Sequence, residues 1–313
     1  MKRWLYLIGI IFLVAVALGE GWYAVAESPA LTHDSSVYLN VAENLSASGR
    51  LVLDMTPATS TQTSRWLCSF MPAYPVALSG LLLLGVPAGS VLSVMTLIGL
   101  ALYGALLFAL AWRLTGNLVV SLVAGLAALL LPAVFDAMTY ALTETLYLPV
   151  SLAAFLLLDY YFERRKKRYL VALAVMLALG TLLRLVGGLL MVAIGAVIVL
   201  RSLSQRNVRQ AVGEGIAMGL SQAPAAFMLV ANYLQTGRFY CATNSAGWFV
   251  DRTNPALLAK VLLQQFKPDI NLGLGLKSMA AALPTLVWVA LALVILALGL
   301  FYLWRQRGNI KAA

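Results

Sequence analysis

The sequence predicts an all-α polytopic membrane protein with about eight transmembrane helices. Of its 313 residues, 62% are hydrophobic and 11% are charged, whereas a soluble domain is about 25% charged. The mean hydropathy is +0.88, and several apolar runs reach the roughly 20 residues that a bilayer requires. The net charge of +10 does not indicate nucleic-acid binding, because the basic residues are scattered among short connections.

Eight segments are predicted to span the membrane: 4–26, 88–112, 118–135, 138–160, 169–183, 185–200, 211–234 and 281–304. The first run follows Lys2 and Arg3 and has no clear cleavage site, so it is predicted to be a signal anchor. With both termini inside, 14 of the 22 Lys and Arg fall on the inner side. We therefore expect a single transmembrane domain, residues 1–313, in the plasma membrane.

Two apolar stretches do not fit simple spans. Pro75–Leu84 gives only about 15 Å of helix, so it is predicted to be half-embedded. The stretch 169–200 has strongly basic segments on both sides, which predicts a tight hairpin of two short helices with Arg184 at its outer turn.

Two long loops are predicted outside, and they are expected to carry the active surface. Residues 235–279 would form the acceptor side, and residues 27–74 the catalytic side. Within the latter, Val37, Tyr38, Val41 and Leu45 share one stripe of an amphipathic helix, which we expect to lie on the bilayer surface.

Asp34, at the start of that helix, is the leading candidate for a catalytic carboxylate. The alternative interpretation is a helix N-cap. Its neighbour His33 is the only histidine, and a solvated loop residue is its simpler interpretation. One histidine and two distant cysteines make no zinc pattern, so neither metal nor cofactor is predicted.

Two more charged residues lie in apolar surroundings. Glu144 is either a functional intramembrane acid or part of a capped helix start. Arg184 suits a lipid phosphate, or it snorkels to unspecific headgroups. Cys68 and Cys241 both fall on the outer side, where a disulfide would tie the two loops together, but we expect two buried free thiols.

Five stretches resemble the polyprenol-phosphate-dependent glycosyltransferases with the GT-C fold, such as protein O-mannosyltransferases and the lipid A aminoarabinose transferase. The stretches are HDSSVYLNVAENLSASGRL, SFMPAYPVALSGLL, ALTETLYLPVSLAAFLLLDYYF, LGTLLRLVGGLL and ANYLQTGRFYCATNSAGWFVDRTNP. They occur in the family's order and are distributed over most of the chain.

This resemblance implies transfer of a sugar from a polyprenyl-phosphate donor to a lipid, glycan or protein acceptor on the outer face, with inversion. Asp34 takes the position of the catalytic carboxylate and Arg184 lies near the donor phosphate. The remaining candidate substrate-binding residues are Glu144, Tyr38, His33, Asp136, Tyr74 and Asn244.

The sequence also departs from the family. Ser35 stands where many members have a second acid, Met71 replaces the first proline of the proline motif, and the chain is short. The alternatives are a lipid or solute transporter, including a flippase, and a non-catalytic partner with a GT-C-like fold. A transporter predicts matched halves and charges near mid-membrane, whereas the acids here cluster in an outer loop.

Overall fold

The computed structural model describes residues 2–26, 32–53, 65–237 and 239, which belong to one compact unit, Met1–Ala242. Their helices are α1 (Lys2–Ala26), α2 (His33–Ser48), α3 (Ala73–Leu83), α4 (Ala88–Thr115), α5 (Leu118–Leu129), α6 (Pro132–Thr139), α7 (Glu144–Arg164), α8 (Lys167–Leu183), α9 (Gly187–Ser204), α10 (Val208–Leu220) and α11 (Ala223–Thr236). A short antiparallel pair, β1 (Val52–Leu53) and β2 (Arg65–Trp66), follows α2. The described chain is therefore mostly helical, which agrees with the predicted fold class.

Five segments of the described chain are long and apolar enough to cross a membrane. They are Trp4–Ala26, Ala88–Thr115, Glu144–Arg164, Gly187–Ser204 and Val208–Thr236. The last of these comprises α10 and α11, with a turn at Ser221 and Gln222. The predicted span 281–304 lies outside the described residues. The predicted acceptor loop, 235–279, also lies outside them, apart from residues 235–237 and Phe239.

Two predicted spans have different limits in the structure. The segment 118–135 is interrupted, since α5 ends at Leu129 and α6 begins at Pro132. Proline lacks an N–H and disfavours helical geometry in the residue before it, which accounts for the break. The segment 138–160 begins later than predicted, because a turn over residues 140–143 precedes Glu144.

The tight hairpin formed by α8 and α9 matches its prediction. Helix α8 ends at Leu183, Arg184 is extended, and α9 begins at Gly187. A Cβ atom on Gly187 would lie 2.5 Å from the Gly180 backbone. Glycine at this position therefore allows the two helices to meet closely at the turn.

The apolar face of α2 does not lie on the bilayer, and that prediction is wrong. Tyr38 and Ala42 pack with residues of α3, α4 and α8, while Val37 and Val41 pack against Leu67 after β2. Protein packing thus takes the place of the lipid contact that amphipathicity alone suggested. Helix α3 has 11 residues, which agrees with the prediction that this segment is too short to cross.

Strand β2 and the residues that follow it are tied to the C-terminal part of α11. The Trp66 Nε1–H group donates to Asn232 Oδ1 at 2.9 Å, and Cys68 Sγ lies 3.6 Å from Thr236 Oγ1. Cys68 is disulfide-bonded, so the expectation of two free thiols is wrong for this residue. The other cysteine of the sequence, Cys241, lies outside the described residues.

Helix α7 runs between the two ends of the bundle. Its first residue, Glu144, lies at the end that carries α2, which we call the site end. Its last residue, Arg164, lies at the opposite end, which we call the basic end. With 21 residues and about 1.5 Å of rise per residue, α7 separates these ends by the thickness of a bilayer core.

Candidate functional site

The first turn of α2 is capped by Thr32. The Thr32 hydroxyl accepts from the Ser35 backbone N–H at 3.1 Å, and Ser35 Oγ accepts from the Thr32 backbone N–H at 3.3 Å. This is a capping box built from two hydroxyl side chains. The interpretation of Asp34 as the N-cap is therefore wrong, and its carboxylate is not needed to satisfy the helix end.

Asp34 occupies the second position of α2 and is half-buried. Its carboxylate makes no hydrogen bond or ion pair with any residue of the described ranges. The positive end of the helix dipole favours a negative charge in this turn. Asp34 is thus a carboxylate available to a ligand, while the neighbouring His33 is exposed to solvent.

Glu144 and Arg184 form an ion pair between Glu144 Oε1 and Arg184 Nη1. The second oxygen, Oε2, accepts from the Thr143 hydroxyl at 3.2 Å. The Glu144 and Arg184 side chains are 24% and 37% exposed, so solvent still reaches both. A guanidinium has five N–H donors in a planar fork, and Glu144 leaves most of them available to an anion.

The turn before α7 connects Asp34 with this ion pair. Ser35 Oγ donates to the Tyr140 carbonyl at 2.6 Å, four residues before Glu144. Within the turn, Ala141 has a φ of 51°, a conformation that non-glycine residues adopt at some energetic cost. Because Ala141 is fully buried, its packing holds this backbone in place and fixes the start of α7 beside α2.

An aromatic cluster underlies the site end. The Tyr38 ring lies edge-on to Phe70 and Tyr74, with centroids 5.0 Å and 5.2 Å away. Tyr74 is fully buried, and its hydroxyl lies near Thr145 without a hydrogen bond of acceptable geometry. Burial raises the pKa of Tyr74, so this phenol stays neutral at physiological pH.

The structure thus gives Tyr38 and Tyr74 a packing role, and their contact with substrate stays a prediction. Asp136 is half-buried on α6, and its carboxylate has no partner among the residues described. Asn244 lies outside the described residues. In those ranges no group of three or more His, Cys, Asp or Glu side chains is arranged to hold a metal ion.

Glu214 is a buried acid that the sequence reasoning did not single out. It is 2% exposed and lies on α10 towards the basic end. Its carboxylate accepts from the Tyr161 hydroxyl, from Ser202 Oγ at 2.5 Å and from Gln210 Nε2 at 2.9 Å, and Arg165 Nη1 lies 3.5 Å away. These contacts join α7, α9 and α10. The sequence signal that could have identified Glu214 is an acidic residue between two glycines in a largely apolar helix.

Glu20, on α1, was also missed. One of its carboxyl oxygens, Oε2, is buried without a hydrogen-bond partner among the described residues. The signal in the sequence was an acidic residue inside the first apolar run.

Comparisons with known proteins add no information on the family or function of this chain. No family model matches the chain, and neither a curated protein nor a solved structure matches it. The likeness to GT-C glycosyltransferases therefore stays a prediction from the five sequence stretches.

Proposed function

We propose that the protein is a membrane glycosyltransferase that transfers a sugar from a polyprenyl-phosphate donor to an acceptor at the site end. The proposal includes the GT-C arrangement and eight spans, with both termini inside. The observation that carries it is the Asp34 carboxylate, which has no partner among the described residues, since Thr32 and Ser35 cap the helix instead. The partly exposed guanidinium of Arg184 at the same end supports it.

Arg184 has the role of binding the donor phosphate. It sits in extended backbone between two apolar helices, and we expect this turn to lie at the depth where a lipid phosphate meets water. Glu144 holds one edge of the guanidinium through Nη1, which orients the remaining N–H donors. A planar fork binds two phosphate oxygens at once.

Asp34 has the role of general base. An acceptor hydroxyl oxygen attacks the anomeric carbon as its proton passes to the Asp34 carboxylate. The bond between the anomeric carbon and the phosphate oxygen breaks, and polyprenyl phosphate leaves with the bonding electrons. Because phosphate is a good leaving group, one carboxylate suffices where a glycoside hydrolase uses two.

The test is Asp34→Asn, with Thr32→Ala as the matched control. Asparagine cannot accept the proton, so transfer should fall by about 10²–10⁴-fold, while stability changes by less than about 1 kcal/mol. Thr32→Ala should cost about 1 kcal/mol of stability through loss of the cap and keep transfer. The assay follows sugar release from labelled polyprenyl-phosphate sugars in membranes with equal amounts of folded protein.

Near-normal transfer by Asp34→Asn would contradict the assignment and direct attention to Glu144 or Asp136. Equal losses in Asp34→Asn and Thr32→Ala would show that transfer depends on the geometry of the first turn of α2 as a whole, and would contradict the specific assignment of Asp34.

A lipid or solute transporter is the second candidate. It is favoured by the interruptions at Leu130–Leu131 and at Ser221–Gln222, because broken helices form transport sites. The buried Glu20 Oε2, which has no hydrogen-bond partner in the part of the chain that the structure describes, also favours it. Purified protein in liposomes would then move the labelled donor between leaflets without releasing its sugar.

A further inference from the structure

The basic end of the bundle carries many cations around the connection between α7 and α8. Three carboxylates accompany them, and each is engaged. Glu163 contacts Arg113 and also lies 3.7 Å from Arg164 Nε, Asp159 contacts Arg113, and Glu214 lies beside Arg165. The cations outnumber these acids, and they are Arg113, Arg164, Arg165, Lys166, Lys167 and Arg168. The excess positive charge makes this end attractive to an anion.

Two of these arginines are gathered around one phenol. Arg164 Nη1 and Arg168 Nη2 each donate to the Tyr169 hydroxyl at 3.1 Å. The Tyr169 ring stacks on Tyr160, with centroids 5.6 Å apart, and the guanidinium of Arg168 lies 4.9 Å from the Tyr169 centroid. The aromatic rings thereby hold both guanidinium groups at the surface.

We propose that Arg164 and Arg168, held by Tyr169, form a binding site for the phosphate of an anionic phospholipid. Both side chains are exposed. Arg164 also pairs with Glu163 through Nε, yet each guanidinium keeps N–H donors that neither Glu163 nor the Tyr169 hydroxyl uses. Two guanidinium groups that converge on one oxygen present adjacent donors of the kind that phosphate binds. The site is independent of the proposed transfer, because α7 separates it from Asp34 and Arg184.

The position of the site favours a lipid phosphate. Arg164 ends α7 and Arg168 lies in the first turn of α8, so both flank apolar helices at the level where headgroups begin. Basic residues next to membrane helices attract anionic lipids. Apolar helix surface beside the arginines would receive the acyl chains.

The chain offers a matched control at the same end. Arg206 and Arg209 are exposed near the connection between α9 and α10, and neither contacts an aromatic ring or a carboxylate in the described part of the chain. Removing this pair deletes the same charge as removing Arg164 and Arg168. A difference in lipid affinity between the two double variants would therefore show that the arrangement of Arg164 and Arg168 matters, and not their charge alone.

The experiment is native mass spectrometry of the purified full chain in neutral detergent with dioleoylphosphatidylglycerol, dioleoylphosphatidylcholine or inorganic phosphate. Arg164→Ala/Arg168→Ala should weaken phosphatidylglycerol binding by about tenfold or more, from the loss of charge-assisted hydrogen bonds. Arg206→Ala/Arg209→Ala should change it by less than about twofold. Tyr169→Phe, which keeps every charge, should also weaken binding because the two guanidinium groups lose their common acceptor.

The opposite results overturn the proposal. Equal weakening by the two double alanine variants would show only unspecific charge attraction. If phosphatidylcholine binds as tightly as phosphatidylglycerol, the site does not require a lipid with a net negative charge. Inorganic phosphate that displaces the lipid would identify a site for free phosphate. Arg164→Lys/Arg168→Lys retains both charges and serves as a control for a folding defect in the alanine variant. Undiminished lipid binding by the lysine variant would show that the planar guanidinium groups are not required.

Discussion

Replacing Arg184 by Lys separates the two things that its side chain does at the site end. Lysine keeps the positive charge beside Glu144 but loses the planar fork. The ion pair has side chains that are 24% and 37% exposed, so solvent screens it. Two unit charges about 4 Å apart attract by about 4 kcal/mol at an effective dielectric constant of 20, and solvent screening of this partly exposed pair reduces the coupling to about 1 kcal/mol or less.

Most of that coupling is electrostatic, so Arg184→Lys should lower the free energy of unfolding by less than about 1 kcal/mol. Donor binding should suffer more, because the second of two charge-assisted hydrogen bonds to phosphate is lost. At about 1.5–3 kcal/mol for such a bond, we expect polyprenyl-phosphate affinity to fall by at least about tenfold.

The assay measures binding of labelled polyprenyl phosphate to purified protein, beside equilibrium unfolding in mixed micelles. Arg206→Lys, at an exposed site without aromatic or acidic contacts in the described chain, is the control and should change neither quantity. Unchanged donor affinity in Arg184→Lys would refute the phosphate assignment and leave unspecific headgroup contact as the role of this residue.

Three further predictions concern the scaffold. Gly187→Ala places a Cβ atom 2.5 Å from the Gly180 backbone, so the free energy of unfolding, measured by thermal unfolding, should fall by about 1–3 kcal/mol. The control is Gly188→Ala, where the nearest contacts of the new Cβ atom are at 3.8 Å or more, and it should lower the free energy of unfolding by less. Glu214→Ala should cost about 3–5 kcal/mol in the same measurement, because a buried carboxylate with several donors is removed, and wild-type stability would contradict the network. Reducing the disulfide at Cys68 should lower the melting temperature, with a shift equivalent to about 2–4 kcal/mol, and an unchanged melting temperature would exclude a stabilising role.

The elements that the sequence predicted well are those whose signal is local. The short length of the apolar piece Pro75–Leu84 predicted α3, and the basic flanks of 169–200 predicted the α8–α9 hairpin. Both depend on chain length, charge and glycine, which are visible along the sequence. The late start of α7 was not predicted, because the turn before Glu144 depends on packing of Ala141 and on the hydrogen bond from Ser35 to the Tyr140 carbonyl.

The candidate site was harder to predict in detail because its contacts join distant residues. Asp34 was identified, but the role of Thr32 as the cap was missed, since Asp and Thr both suit that position. Glu144 and Arg184 were found separately as charges in apolar surroundings, while their pairing needed the fold. The disulfide at Cys68 was missed because only the folded chain brings this residue beside the end of α11.

The central claim is that a polyprenyl-phosphate donor binds at the site end, and a photoreactive donor tests it without knowledge of the sugar. Polyprenyl phosphate with a diazirine next to the phosphate would be crosslinked to the protein in liposomes, and the labelled peptides mapped by mass spectrometry. We predict label on peptides containing Arg184 and the start of α2, displaced by unlabelled polyprenyl phosphate and reduced in Arg184→Lys. Displaceable label confined to peptides of the basic end, around Arg164–Arg168, would contradict the account.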